Sequence, residues 1–381
     1  MKLILKLIAG IIAGILIGLV APDFLIRVAV TVKVIFSSFL EFIVPFLILF
    51  FIASGVAKLE HQVGRIVGIA VGLAYVSTLL AGGFAYLIGS NIIPLFSLTT
   101  NILQAGTQYS PLIDLKIDPM MSVMTALVAA FVFGIGVTKT KSVLFEQGLH
   151  EGKAIIELVI KSIIIPFLPF YIAALFTSFA ADGTAFEVLK IFGKILFLVI
   201  LSHWIWLFIL FAIAGFVRKE NPLTLLKNML PAYFTAVGTM SSAATIPVTL
   251  SSVKKNGISD SMANFAVPLY ATIHISGSMI TITTCIIAVM AMTPTMGIPT
   301  FEQLVPVIFT LALIMIAAPG VPGGGIMAAI GLLTSMLGFG DVAIGLMIAL
   351  YVAQDSFGTA TNVTGDGALI VLLQRLHPRK N

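Results

Sequence analysis

The chain is 381 residues long, only 10% charged and 59% AVILMFWYC, with 33 glycines and a mean hydropathy of +1.13. A soluble domain carries about 25% charged residues, so there is too little polar surface here for a water-soluble particle, and a soluble enzyme, a nucleic-acid binder and a disordered chain are excluded. The net charge is +5, and the single cysteine, Cys285, rules out a disulfide framework within the chain and argues against a Cys-built metal site.

The apolar stretches run about 20 residues or longer, the length a bilayer core asks of a helix, and they are too unbroken for membrane strands. In chain order they predict spans at residues 3–19, about 25–57 and about 63–93, a fourth ending near 137, a fifth at about 154–180 and a sixth at about 186–217. Lys2 and Lys6 before an apolar core imitate a signal peptide, but Val20-Ala21-Pro22 is a poor cleavage site and further spans follow. Basic residues gather in alternate connections. One group runs from Lys2 and Lys6 through Lys139, Lys141, Lys254 and Lys255 to Arg375; the other connections hold only Arg27, Lys116, Lys190 and Lys194. The positive-inside rule puts the first group and both termini in the cytoplasm, which makes the basic balance a topology signal.

Beyond residue 220 the apolar stretches shorten and are interrupted by Gly, Ser, Thr and Pro at 233–248, 271–277, 317–325 and 358–366. Irregular backbone survives in a bilayer core only where it is buried in protein or lines a polar cavity. Paired interrupted segments point to a transporter's binding site. The order hairpin, broken helix, hairpin, broken helix predicts an internal repeat. The plainer alternative, small residues easing helix packing, suits one such segment better than four.

Ionisable residues inside spans are costly and are functional candidates. Asp355 and Asp366 lie about three helical turns apart, on either side of a predicted break at 361–365. One can neutralise a cation or a substrate ammonium and the other can serve a second ion; the alternative is a pair of interfacial carboxylates satisfied by Lys or water. His274, inside the second interrupted segment, is either a hydrogen-bonded packing residue or a carrier of a coupling proton. Lys33 and Glu41, two turns apart, are expected to pair or to snorkel. His203, Trp204 and Trp206 look like an interfacial belt, and Glu157 and Lys161 have the spacing of a helix pair.

Five strings together resemble the dicarboxylate/amino acid:cation symporter family, which includes glutamate, neutral amino acid and serine/threonine transporters. Residues 7–18 (LIAGIIAGILIG) resemble its first span, and 241–249 (SSAATIPVT) the tip of re-entrant hairpin one. Residues 267–278 (VPLYATIHISGS) resemble helix seven, 318–325 (APGVPGGG) the tip of hairpin two, and 355–366, ending in NVTGD, helix eight. Each alone is weak; all five in order cover essentially the whole chain.

The resemblance implies an all-α integral membrane protein with eight transmembrane helices, two re-entrant hairpins, inverted repeats, an elevator mechanism and a homotrimer in the lipid bilayer of a bacterial or archaeal inner membrane. It implies a scaffold from residues 1–60 and 118–183, and a transport domain from 61–96 and 184–381 with hairpins at 221–254 and 301–336. Carried over residue by residue, Ser241, Ser242 and Asn362 would meet a substrate carboxylate, and Asp355, helped by Thr359, its ammonium. Ser278 and Gly358 would also face the substrate, and the backbone of Gly320, Val321, Pro322 and Gly323 would close over it. Sodium would be held by Asp366 with carbonyls at Tyr270, His274 and Asn362. A second sodium would take carbonyls at Thr272, Ile275, Met315 and Ile316, and Ser77 and Thr78 match a third site loosely. No organic cofactor is implied.

The departures from the family carry specificity. Relatives that transport acidic amino acids place an arginine at the position of Gly358 or Met240, and neither segment here holds another basic residue. A planar guanidinium suits a carboxylate, and without it a second substrate carboxylate is buried unpaired. The sequence therefore predicts a small neutral amino acid such as serine, threonine or alanine, closest in pattern to the serine/threonine:sodium branch. Where the family often has Asn-Met-Asp-Gly-Thr, this chain has His274-Ile-Ser-Gly-Ser278, so a carboxylate at a cation site is lost and fewer sodium ions, or a proton on His274, are expected. Tyr270 stands where relatives tend to have Gly. No P-loop and no nucleophile-base set point to a pump or an enzyme; an ion channel is the remaining rival, because helix breaks also build filters.

Overall fold

The computed structural model describes residues 2–61, 65–96, 109–293, 295–316 and 323–376, and among these every regular element is a helix. The chain begins with α1 (Lys2–Val20), α2 (Asp23–His61) and α3 (Arg65–Ile92), which ends in a 3-10 turn (Ile93–Phe96). After α4 (Val123–Thr140) come α5 (Val143–Val159), a π turn (Ile160–Ile164) and α6 (Ile165–Ala181) as one continuous rod. Then follow α7 (Ala185–Arg218), α8 (Pro222–Thr239), α9 (Ser242–Lys255), α10 (Asp260–Ile273), α11 (Ser276–Met292), α12 (Phe301–Ile316), α13 (Gly324–Leu337) and α14 (Asp341–Leu376). Among the described residues seven stretches are long and apolar enough to cross a membrane, by length and composition; α4, α12 and α13 are apolar but shorter.

The six predicted spans fall on α1, α2, α3, α4, α5–α6 and α7. The fifth starts earlier than its apolar run suggests, because α5 mixes Glu146, His150 and Glu151 with apolar residues. The π turn precedes Pro166, which has no N–H to give and crowds the carbonyl one turn back, so the helix widens there. The Glu157–Lys161 pair forms at 3.7 Å.

Gly10, Gly14 and Gly18 make a stripe along α1 that lies directly on the backbone of α6, against the carbonyls of Pro169, Ala173 and Thr177. Small residues every fourth position let two membrane helices approach this closely. Gly14→Leu puts a side chain where only the Ala173 backbone fits. The expected loss is about 1–3 kcal/mol of stability, visible as a lower Tm of the detergent-solubilised protein; an unchanged Tm sinks the contact.

Two apolar cores form. One joins α1, α2, α4–α6, α11–α13 and the first half of α14; the other joins α3, the second half of α7, α8–α10 and the last part of α14. α14 runs through both, and it corrects a sequence expectation: it is unbroken from Asp341 to Leu376, with no interruption at 361–365. Its threonines satisfy themselves within a helix, as where Thr361 donates to the Phe357 carbonyl at 2.9 Å, so Gly and Thr here mark close packing rather than irregular backbone.

Lys33 departs from expectation as well. It is 5% exposed, and its charged neighbours are Asp341 and Asp182 rather than Glu41, which is exposed. At the α6–α7 turn, burial pushes the Asp182 carboxyl up, and Lys33 partly offsets this.

Candidate functional site

One face of α14 carries the site. Tyr351, Asp355, Asn362 and Asp366 recur at spacings of four, seven and four, which a helix of 3.6 residues per turn brings to one side. All are buried, Asp355 and Asn362 at 4% exposure and Asp366 at 1%.

Two helix N-termini end against this face. α11 starts after the backbone leaves helical geometry at His274 (ψ 112°) and Ile275 (φ −136°), so the predicted break at 271–277 is present. α13 starts after Gly323, whose φ of +77° favours glycine. The first N–H groups of a helix lack partners and carry partial positive charge. Asn362 Oδ1 caps α11 by accepting from the Gly277 N–H (2.7 Å) and the Ser278 N–H (3.3 Å), and Asn362 Nδ2 donates to Ser278 Oγ at 3.1 Å. Asp355 Oδ2 accepts from the Gly323 N–H at 2.7 Å. Gly277 must be glycine, because a Cβ there would run into the Gly358 carbonyl and Thr361.

Tyr351 stands beside the two caps, its phenol neighbouring both Asp355 and Ser278.

Three turns along α14 lies a second centre. His274 Nδ1 is 2.8 Å from Asp366 Oδ1, and His274 Nε2 is 3.0 Å from Ser77 Oγ on α3; His274 is 1% exposed. The imidazole therefore donates from Nδ1 to Asp366, and in the neutral ring Nε2 accepts the Ser77 O–H. The Tyr270 ring stands edge-on to His274 with centroids 6.3 Å apart, and its hydroxyl is buried without a protein partner.

Adjacent in sequence to this centre, Thr78 Oγ1, Ser276 Oγ and Thr364 Oγ1 are each buried without a hydrogen-bond partner. Leaving such a group unsatisfied costs about 1–3 kcal/mol. Hydroxyl and carbonyl oxygens with one carboxylate suit a hard ion. Among the described residues no three His, Cys, Asp or Glu side chains gather as a transition-metal set. Two carbonyls expected as ligands already accept helix hydrogen bonds, Tyr270 from the His274 N–H (2.9 Å) and Ile275 from the Met279 N–H (3.0 Å), and each retains one lone pair.

Other predicted residues are less directly engaged. Ser241 Oγ accepts from the Ala244 N–H at 3.3 Å and so caps α9, with Ser242 the first residue of that helix; neither hydrogen-bonds Asp355 or Asn362. Met240, between α8 and α9, is buried with φ +53°, a region rare for non-glycine residues. Gly358 and Thr359 are buried on α14, Thr272 donates to the Leu269 carbonyl, Met315 packs near Gly325, and Ile316 closes α12. Gly320, Val321 and Pro322 lie outside the described residues.

His203 is a correction. It is not interfacial but fully buried mid-way along α7, with Nε2 3.0 Å from the Gly277 carbonyl and 3.1 Å from Thr281 Oγ1. Trp206 is buried in the second core as well. An imidazole in the middle of a 34-residue helix sits in the span's centre, where a polar ring is retained only with a partner. Sequence reasoning missed Tyr351 and this role of His203; Tyr351 was detectable as the residue one turn before Asp355 on the same face.

The sequence profile of the sodium:dicarboxylate symporter family matches residues 3–376. The chain is 33% identical to excitatory amino acid transporter 1 of Homo sapiens over 172 residues, 43% of this chain and 30% of that protein. It is 32% identical to an excitatory amino acid transporter of Caenorhabditis elegans over 157 residues, 40% and 30% of the two chains. It is 28% identical to neutral amino acid transporter A of Bos taurus over 189 residues, 49% and 35% of the two chains. These alignments span about a third of the relatives' length. With the profile match running over nearly all of its 381 residues, the chain belongs to the sodium:dicarboxylate symporter family.

Proposed function

We propose that the protein is a secondary active transporter that couples sodium to the symport of a small neutral amino acid such as serine, threonine or alanine. The observation that carries this is Asp355: a buried carboxylate that accepts from the neutral Gly323 N–H, with the neutral Tyr351 phenol beside it. A buried carboxylate calls for a cation, and the ammonium of an amino acid supplies one. The substrate carboxylate then faces the capped start of α11, beside Asn362 and Ser278, with the α8–α9 turn at Ser241 and Ser242 supplying further donors. The start of α13 at Gly323 closes the site from the other side. Sodium supplies positive charge near the buried Asp366 carboxylate.

Helix α14 holds no Lys or Arg before Arg375, and α9 holds only Lys254 and Lys255, in its last turn. A second substrate carboxylate would stay unpaired there. In proteoliposomes carrying a sodium gradient, serine uptake is expected to exceed glutamate uptake by at least about 100-fold, the discrimination expected when a buried charged group lacks its partner. Faster glutamate uptake would falsify the neutral-substrate assignment.

The same reading takes residues 1–60 and 118–183 as a scaffold, residues 61–96 and 184–381 as the moving part of an elevator with α8–α9 and α12–α13 as re-entrant hairpins, and three copies as the working assembly in a prokaryotic inner membrane with both termini cytoplasmic. Large apolar side chains exposed on α4–α6, such as Val132, Phe133, Leu158 and Phe170, give lipid or partner copies a face to cover.

A second reading, proton coupling, is favoured by one observation: His274 bridges Asp366 and Ser77 with both ring nitrogens engaged. Uptake that persists unchanged without sodium at a clamped pH gradient supports the proton; uptake lost without sodium supports the primary reading.

A further inference from the structure

The proposed function gives Tyr351 no task, yet the ring stands beside the site's central carboxylate. The ring is among the largest fully buried side chains of the chain. It rises from α14 one turn before Asp355 and reaches Ser278 in the first turn of α11. Its hydroxyl also lies so close to Gly325, in the first turn of α13, that a Cβ at residue 325 would overlap it. The phenol is thus wedged where α11, α13 and α14 meet, beside the carboxylate proposed to receive the substrate's ammonium.

We propose that Tyr351 is the specificity-determining residue of this site: its ring fills the volume beside Asp355 and so restricts the amino acid to a short side chain. The inference rests on the amino-acid reading of the site and sharpens its substrate class. The ring stands beside Asp355, and its hydroxyl abuts Gly325 at the start of α13. A pocket excludes larger molecules by filled volume more effectively than it rejects smaller ones, so the phenol acts as an upper limit on size.

The experiment is a binding titration of purified protein in sodium with serine, alanine, threonine, glutamine and leucine, on the wild type, Tyr351→Ala and Tyr351→Phe. Tyr351→Leu stands in if the alanine variant does not fold. The wild type is expected to bind serine at least about tenfold more tightly than glutamine, within the range that differences in side-chain size produce. Tyr351→Ala or Tyr351→Leu is expected to cut that ratio about tenfold by admitting glutamine. Tyr351→Phe keeps the ring and should keep the ratio, weakening all ligands alike. A purely structural role would weaken every ligand equally in all variants. The assignment is overturned if Tyr351→Ala and Tyr351→Leu keep the wild-type ratio, or if Tyr351→Phe shifts it as far as they do. If the wild type binds glutamine as tightly as serine, the Tyr351 assignment fails alone; if it binds no amino acid at all, the transport reading fails and takes this assignment with it.

Discussion

Asp355→Asn should abolish saturable amino-acid uptake while leaving the helical fold intact. Asparagine keeps an oxygen that can accept the Gly323 N–H, whose bond to Asp355 Oδ2 is 2.7 Å long, so the start of α13 keeps its cap. What disappears is the negative charge. An ammonium brought there would meet amide N–H donors in a buried site and stay unpaired. Hydrogen bonds to charged groups are worth about 1.5–3 kcal/mol, and stranding a buried charge about 3–5 kcal/mol, so serine affinity should fall by about 100-fold or more. The check is serine binding and uptake alongside the circular dichroism spectrum and thermal unfolding. A variant that binds serine within a few-fold of the wild type removes Asp355 from the substrate site. A variant that does not fold leaves Asp355→Ser, which also lacks the charge, to decide the same question.

Much of this site is legible in the sequence because membrane burial makes polar residues conspicuous. Asp355, Asp366, His274 and Asn362 stand out against the apolar runs, and in the structure all four are buried, with His274 bonded to Asp366, Asn362 to the start of α11 and Asp355 to the start of α13. The break at His274 is also legible, because Ser276, Gly277 and Ser278 interrupt a continuous apolar run just where the helix restarts. The sequence misleads where composition stands in for geometry. Gly358, Thr361 and Gly365 look like a second break, but threonine can return its hydroxyl to the preceding turn and glycine can serve as a contact surface, so α14 passes straight through. His203 looks like an interfacial residue because it adjoins two tryptophans, and only the position of the Gly277 carbonyl 3.0 Å away shows why it is buried instead. The place of Tyr351, one turn before Asp355 on the same face, is legible in the spacing; what it meets across from that face on α13, where its hydroxyl abuts Gly325, is not.

Replacing Asp366 should separate its structural task from its ionic one. In Asp366→Ala, the His274 Nδ1–H, now 2.8 Å from the carboxylate, is left buried without an acceptor, which costs about 1–3 kcal/mol and loosens the junction of α3, α10–α11 and α14. Asp366→Asn restores an acceptor through its amide oxygen, so His274 and Ser77 remain in place and stability should return close to that of the wild type. Neither variant carries the charge that offsets a bound cation. In both, serine affinity should stop rising with sodium concentration, although only the alanine variant should melt early. The readouts are therefore a Tm series and serine Kd at low and high sodium. If Asp366→Asn keeps the wild-type sodium dependence, the cation does not sit at this carboxylate. If Asp366→Asn melts as early as the alanine variant, the His274 contact depends on charge rather than on the hydrogen bond. That outcome shifts the weight toward a protonated imidazole paired with Asp366 and a proton as the coupling ion.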